Sequence, residues 1–115
     1  MEFLLLIYED ENRLERLSPE ALEAQQDDYR AYTKKLIDAG VFKGGNALQA
    51  TVEAACARDR NGEVLTFDGP FAETKEQFGG YYHIDCADME TALHWAGKMP
   101  AARTGTVEVR PIWNY

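Results

Sequence analysis

Residues 3–8 read FLLLIY, six consecutive apolar residues, and the polar run 9–12 (EDEN) follows them directly. A run of this length is too short for a helix, whereas strands that are buried on both faces carry such unbroken apolar sequences. The stretch therefore predicts a strand with both faces covered. It also decides the architecture, because a layer of helices covers one face of a sheet and the other face then needs a different cover.

Two helices are predicted from their end signals. Ser18-Pro19-Glu20 supplies an N-cap, a proline at the first helical position and an acidic residue where the helix dipole favours negative charge. Apolar residues recur at helical spacing from there to Gly40, so the first helix covers about residues 19–39. Asp88 caps a second helix that continues through about Met99.

The remaining segments favour strands joined by turns. The turn signal Asp59-Arg60-Asn61-Gly62 separates two antiparallel strands, and Asp68-Gly69-Pro70-Phe71 forces an exposed bend that leads into a charged loop or a single helical turn. These later strands cover about residues 51–58, 63–67, 79–86 and 106–112. The order β-α-β-β-β-α-β predicts one α+β, ferredoxin-like domain over residues 1–115, with an antiparallel sheet, two helices on one face, and one additional strand or a long bent hairpin.

Composition and charge restrict the classes of partner. The chain has 115 residues with 20 Asp+Glu against 12 Lys+Arg, and a formal net charge of -8 repels phosphate backbones and anionic lipids. We therefore expect no nucleic acid and no membrane partner. Without an export signal or an apolar segment of about 20 residues, the sequence predicts a cytoplasmic protein. Cys56 and Cys86 form no CxxC motif, so we expect free thiols, no metal and no cofactor.

The alternation of the strands indicates how the two sheet faces differ. The strands 79–86 and 106–112 each alternate between an apolar set and a polar set, and the polar sets are expected on the face away from the helices. Because the first strand is apolar on both sides, that face would expose a row of large side chains in a monomer. We predict a homodimer whose two open faces enclose a small-molecule cavity; a solvated sheet face or an interface rim is the alternative. The side chains expected to converge there are Tyr81, His83, Asp85, Glu53, Glu108 and Arg110.

The segment Asp68–Glu76 (DGPFAETKE), continued by 78–82 (FGGYY), resembles the DGPF family of the YCII-related group, and the tail 95–112 is similar to the ending of that family. The resemblance extends over nearly the whole chain and implies a dimeric α+β barrel, in which ferredoxin-like subunits pair sheet to sheet. The YCII branch has a proposed His/Asp pair in a cavity and includes a dehydrochlorinase-like activity, but residues 25–29 (QQDDY) stand here where that histidine is found. Members of the DGPF branch also resemble proteins associated with extracytoplasmic-function sigma factors, which implies a regulatory alternative.

Asp68 and His83 are the candidate catalytic residues. Asp68 ends a strand beside the expected cavity mouth, where a desolvated carboxylate suits proton transfer, although the same carboxylate also suits hydrogen bonds from the turn. Histidine is the side chain that titrates nearest neutrality, and His83 shares its face with Asp85. Residues at i and i+2 of a strand lie about 6.5 Å apart, so that pair needs a bend or a water. A buried, hydrogen-bonded His83 without a catalytic role is the alternative.

The other candidates bind substrate. Lys75 can neutralise an anionic group from the charged loop, in which Glu73 is a further acid/base candidate, whereas a solvated turn is the alternative for both. Arg103 and Arg110 can each hold a carboxylate through two parallel hydrogen bonds, but for Arg110 an ion pair with an acid on its own face is an equal alternative. The substrate-binding set is Glu73, Lys75, Tyr81, Asp85, Arg103 and Arg110.

Two functional hypotheses follow from these residues. The first is a cofactor-independent enzyme that performs proton transfer or elimination on a small, anionic or aromatic, molecule in a dimer cavity. The second is a non-catalytic dimer that binds a ligand or a protein partner.

Overall fold

The four-stranded sheet at the centre of the molecule is antiparallel throughout, in the strand order β2-β5-β1-β6. The computed structural model describes residues 1–115. The strands are β1 (Glu2–Glu9), β2 (Phe42–Ala47), β3 (Ala55–Arg60), β4 (Glu63–Asp68), β5 (Gln77–Asp85) and β6 (Thr106–Pro111). The helices are α1 (Glu11–Glu15), α2 (Pro19–Asp38) and α3 (Met89–Lys98), with 3₁₀ turns at Thr51–Glu53 and Pro100–Arg103.

The predicted α+β, ferredoxin-like fold is confirmed. The apolar run 3–8 forms β1, which pairs with β5 on one side and β6 on the other. Strands β3 and β4 form a separate two-stranded hairpin, so the long hairpin is the correct one of the two alternatives for the middle of the chain. None of the three helices is long and apolar enough to cross a membrane.

The hydrophobic core lies between the sheet and helices α2 and α3. Five large side chains are fully buried in it. They come from β1 (Phe3 and Leu5), β5 (Ile84), α2 (Leu36) and the residue that follows α3 (Met99). Tyr32 of α2 joins this cluster and donates its hydroxyl to the Trp95 carbonyl of α3 at 2.8 Å. The helices thus cover one sheet face only, as the alternation predicts.

The structure differs from the sequence prediction in three places. Strand β2 (Phe42–Ala47), an edge strand of the sheet, is not among the predicted strands, because Gly44 and Gly45 interrupt its strand pattern. Residues 11–15 form the short helix α1, which Asp10 caps by accepting a hydrogen bond from the Asn12 backbone N–H. The strand predicted from residue 51 begins only at Ala55, because Thr51–Glu53 form a 3₁₀ turn that is tied to α1. Glu11 provides this tie, since its carboxylate accepts hydrogen bonds from both the backbone and the hydroxyl of Thr51. A long-range tether of this kind leaves no periodic signal in the sequence.

The molecule is flat. Its principal extents are 48 × 44 × 19 Å and its radius of gyration is 16.2 Å, whereas a compact domain of this length has a radius of gyration of about 13 Å. The short dimension is that of a sheet with helices on one side, and the β3–β4 hairpin extends the long dimensions. One face of the sheet is therefore left open.

Candidate functional site

The open sheet face carries polar side chains in rows that run across the strands. On this face β1 presents Glu2, Leu4, Leu6 and Tyr8, because Phe3, Leu5 and Ile7 point into the core. Leu4 is the register partner of both His83 on β5 and Arg110 on β6. In the next row, Leu6 is the partner of both Tyr81 and Glu108. The predicted residues Tyr81, His83, Asp85, Glu108 and Arg110 are thus brought onto one surface.

His83 is paired with a residue that the sequence reasoning missed. Its Nε2 lies 2.8 Å from Oε1 of Glu2, and the side chains of His83 and Glu2 are 31% and 38% exposed. Asp85, the partner considered from the sequence, instead accepts a hydrogen bond from the amino group of Met1 at 3.2 Å. Glu2 therefore orients the imidazole of His83.

The sequence indicates the face on which Glu2 lies, but not its partner. Strand alternation puts Glu2 on the same face as Leu4, and the register Glu2↔Asp85, Leu4↔His83 makes Glu2 and His83 diagonal neighbours. Diagonal neighbours lie about 7–8 Å apart at the backbone, which long side chains bridge. Strand alternation is enough to assign Glu2 to the open face. Pairing it with His83 also requires the register between β1 and β5, two strands that are far apart in the sequence.

Arg110 is exposed at the far end of the row that contains His83, and its side chain forms no hydrogen bond or ion pair within the chain. The alternative expected for Arg110, an ion pair with an acid on the same face, is not formed. Strands lie about 4.8 Å apart, so the backbones of His83 and Arg110 are about 10 Å apart, with Leu4 between them. A small molecule that lies over Leu4 can contact both side chains.

Tyr8 and Glu108 form a second polar pair on this face. The Tyr8 hydroxyl donates to Oε1 of Glu108 at 3.3 Å. Burial and the neighbouring Glu108 carboxylate raise the pKa of Tyr8, so the phenol stays protonated and remains a donor. Beside them, Thr106 donates its hydroxyl to Glu76 at 2.9 Å, and Lys75 lines the same wide cleft. The charged loop therefore reaches the edge of the open face through Lys75 and Glu76.

Tyr81 is held in place by β2. Its hydroxyl oxygen accepts a hydrogen bond from Asn46 Nδ2 at 2.9 Å. This bond directs the phenol toward the edge strand β2. Tyr81 thus lies on the open face but forms no hydrogen bond with His83 or Glu2.

Four predicted residues lie away from the His83 row. Asp68 ends β4 in the hairpin and shares no hydrogen bond with His83, and Glu73 lies exposed in the following loop. Glu53, expected on a strand of the open face, lies in the 3₁₀ turn beside the hairpin instead. Arg103 is on the helical side of the sheet, 3.6 Å from an Asp28 oxygen. It lies there because Pro100–Arg103 turn under the helices before β6 begins.

A second cleft, of about 250 Å³, lies on the helical side between α1, α2 and the turn before β6. At its floor, Glu9 has a side chain that is 8% exposed and accepts from Arg13 at 3.3 Å and from Thr104 at 3.4 Å. Arg13 also donates to Gln25 at 3.2 Å. Burial and the Glu9 carboxylate raise the pKa of Tyr29. This cluster gives Gln25 and Tyr29 of α2 structural partners.

No group of three or more histidine, cysteine or carboxylate side chains converges in the arrangement that a metal ion needs. The chemistry that the open face can perform with its own side chains is proton transfer at His83, with hydrogen bonding by Tyr8 and anion binding by Arg110.

The fold and this face define a class of protein: a ferredoxin-like α+β domain with helices on one sheet face and a polar, uncovered second face. The family model of the YCII-related domain matches residues 1–115. An uncharacterised protein from Rhizobium meliloti (strain 1021) is 40% identical over 117 residues, which cover 100% of this chain and 94% of the relative. The chain belongs to the YCII-related family.

Proposed function

We propose that two copies of this chain pair open face to open face, and that the chamber between them binds a small carboxylic acid and moves a proton on it without a cofactor. The observation that carries this proposal is the His83–Glu2 hydrogen bond of 2.8 Å, in a row that ends at the unpartnered Arg110. The DGPF-type resemblance supports the same pairing, since it implies a dimeric α+β barrel. The free thiols of Cys56 and Cys86 support a cytoplasmic setting.

The surface area of the chain supports the pairing. One chain exposes 8099 Å², whereas a compact monomeric protein of 13.0 kDa exposes about 6,300 Å². The excess of about 1,800 Å² falls within the share that one subunit contributes to an obligate dimer, since such interfaces bury roughly 2,000–5,000 Å² in total. Leu4 and Tyr8 lie on the face that such a pairing covers.

The proposed chemistry follows from the hydrogen bond between Glu2 and one ring nitrogen of His83, Nε2. A neutral imidazole that donates its Nε2–H to Glu2 carries its lone pair on Nδ1. Nδ1 takes a proton from a carbon next to the carboxylate of the bound acid, and the imidazolium that forms is stabilised by Glu2. Arg110 binds the carboxylate of the same molecule through charge-assisted hydrogen bonds. Returning the proton to the carbon completes an exchange. In an elimination, the electron pair of the broken C–H bond forms a double bond as a leaving group departs from the adjacent carbon with its own bonding pair, and the imidazolium then gives its proton to that group or to water.

Proton transfer can be tested without knowledge of the natural substrate. A panel of small carboxylic acids is incubated with the protein in D₂O, and exchange of the carbon-bound hydrogen is followed by NMR. We expect exchange for at least one acid, and His83→Ala lowers its rate by about 100-fold or more, the usual contribution of a general base. His94→Ala is the matched control, because His94 is the other histidine and is exposed on α3. Equal exchange rates in wild type and His83→Ala would contradict the proposal.

A non-catalytic ligand-binding dimer is the second candidate function. It is favoured by the exposure of His83 and Glu2, each about one-third exposed in the single chain, because an acid–base pair works best when water is excluded. In this case an acid of the panel binds, with its NMR signals shifted, but its hydrogen does not exchange.

A further inference from the structure

The β3–β4 hairpin, residues 55–68, forms an arm that no other strand of the chain supports. Its strands pair only with each other, and Gly69 closes its base by donating its N–H to the Ala54 carbonyl at 2.7 Å. An isolated two-stranded hairpin is marginally stable at best in water. The arm nevertheless exposes large apolar side chains on one face, with Leu65 45% and Phe67 37% exposed. Such a segment needs a covering surface.

One face of the arm borders a cavity that reaches the open face of the sheet. Cys56 pairs with Phe67 and Arg58 pairs with Leu65, so these four side chains share a face. A cavity of about 650 Å³ connects this face to the sheet, with Cys56 on its arm side. On its sheet side it is lined by Tyr8 and Phe78, whose rings pack 5.6 Å apart.

Arg58, on this face of the arm, stacks on two aromatic rings and has no acidic partner. Its guanidinium lies 5.1 Å from the centre of the Phe67 ring and 5.4 Å from that of the Phe71 ring. It forms no ion pair in the chain, although the protein has 20 Asp+Glu. The stacking holds the guanidinium in place on the arm and leaves its N–H groups free for a carboxylate.

The charges of the two surfaces are complementary. The arm face carries Arg58 and Arg60 against Glu63, a net positive charge. The open sheet face has more acidic than basic side chains, with Arg110 as its only arginine. Its carboxylates are Glu2, Asp85 and Glu108.

We infer that the arm of each subunit crosses to the second copy and closes that copy's end of the chamber between the two open faces, with Leu65 and Phe67 as the apolar cover and Arg58 against the carboxylates of that copy's open face. This inference rests on the face-to-face pairing proposed above. A two-fold axis makes the contact reciprocal, so that each arm leaves its own chain and covers the other. Each end of the chamber is then incomplete without the arm of the other subunit, which supplies the exclusion of water that the His83–Glu2 pair lacks in one chain.

Arg58→Glu tests the inference at an exposed position where no native contact besides ring stacking is lost. The dimer dissociation constant is measured by analytical ultracentrifugation over a dilution series, with Arg16→Glu, an exposed arginine on the helical side, as the matched control. We expect Arg58→Glu to raise the dissociation constant about tenfold or more and Arg16→Glu to leave it unchanged. Combining Arg58→Glu with Glu108→Lys restores part of the affinity, because the charges are exchanged across the contact.

Amide hydrogen exchange of residues 55–68 gives a second measurement. The arm amides are expected to be protected at concentrations where the dimer forms, and to lose that protection on dilution or with Arg58→Glu. A wild-type chain that is monomeric at every concentration overturns both the pairing and the arm contact. A dimer whose dissociation constant and arm protection do not respond to Arg58→Glu overturns the arm contact alone, and the proposed pairing survives.

Discussion

Glu11 holds Thr51 by two hydrogen bonds, 2.7 Å from the Thr51 backbone nitrogen to Oε1 and 2.8 Å from its hydroxyl to Oε2. The Glu11 backbone N–H also donates to Gln77 Oε1 at 2.9 Å, at the start of β5. One residue of α1 thus fixes the point where the chain leaves the sheet for the arm and the point where it returns. The position of the arm depends on this junction.

Removing the junction is expected to loosen the arm. Because hydrogen bonds to a charged group contribute about 1.5–3 kcal/mol each, and part of the loss is recovered by water, Glu11→Ala should lower the free energy of unfolding by about 1–3 kcal/mol. Urea denaturation measures this change. Glu15→Ala is the control, since the Glu15 side chain is exposed on the same helix and forms no hydrogen bond. Similar small losses for both variants would show that Glu11 is not a tether.

Two glycines are expected to respond to alanine in opposite directions. A Cβ at Gly105 would overlap the Tyr8 carbonyl and approach the Glu9 side chain, whereas a Cβ at Gly97, inside α3, meets no atom within 4 Å. We expect Gly105→Ala to lower the free energy of unfolding by about 1–3 kcal/mol through overpacking. Gly97→Ala should raise it by about 0.5–1 kcal/mol, because alanine is the better helix former. Urea denaturation of both variants measures these changes in the free energy of unfolding. A Gly105→Ala protein as stable as the wild type would contradict the close approach of β1 and β6.

The sequence predicts local features well and long-range pairings poorly. The apolar run 3–8, the Ser18 cap and the alternation around His83 depend on neighbouring residues, and the structure confirms the strand, the helix and the face that they indicate. The His83–Glu2 pair depends on the register between β1 and β5, which no local pattern specifies. Register is set by packing of whole strands, so site residues that come from different strands can be assigned to a face but not to a partner.

Arg103 and Glu53 show the same limit at the connections. Both precede strands by a few residues, and both lie in 3₁₀ turns whose direction is set by the elements they pack against. Pro100 and Ala101 are buried under the helices, which carries Arg103 to the helical side. A proline signals the end of a helix from sequence, but it does not signal on which side of the sheet the next turn lies.

The cap of α3 gives a pH dependence with a defined sign. Hydrogen bonds from the Thr91 backbone N–H and hydroxyl lower the pKa of Asp88 below its ordinary value of 3.8. A lowered pKa in the folded state means that this stabilisation is present above pH 3.8 and is lost as the pH falls through the folded-state pKa. Asp88→Asn keeps an acceptor oxygen but does not titrate, so its unfolding free energy should fall less steeply below pH 4. Parallel curves for the two proteins would contradict this.

The buried tyrosines make the stability of the fold depend on pH in the alkaline range. Burial is the main cause that raises the pKa of Tyr29, Tyr32 and Tyr82 above the ordinary value of 10.0. The unfolded chain therefore loses these protons first, and stability is complete below pH 10 and falls as the pH rises above it. Absorbance titration should show phenols that ionise only above pH 10 or on alkaline unfolding. Tyr32→Phe should remove one of them, and an unchanged late phase would contradict the assignment.

Arg110 and Arg103 provide the sharpest test of which side of the sheet binds a ligand. Both are exposed arginines near β6, but Arg110 lies on the open face without a partner and Arg103 lies on the helical side near Asp28. For the acid of the panel that binds best, Arg110→Gln should weaken binding by about 10-fold to 100-fold, the effect of losing charge-assisted hydrogen bonds. Arg103→Gln should leave the affinity unchanged. Titration calorimetry measures both, and the reverse result would move the ligand from the open face to the cleft beside Glu9 and Arg13.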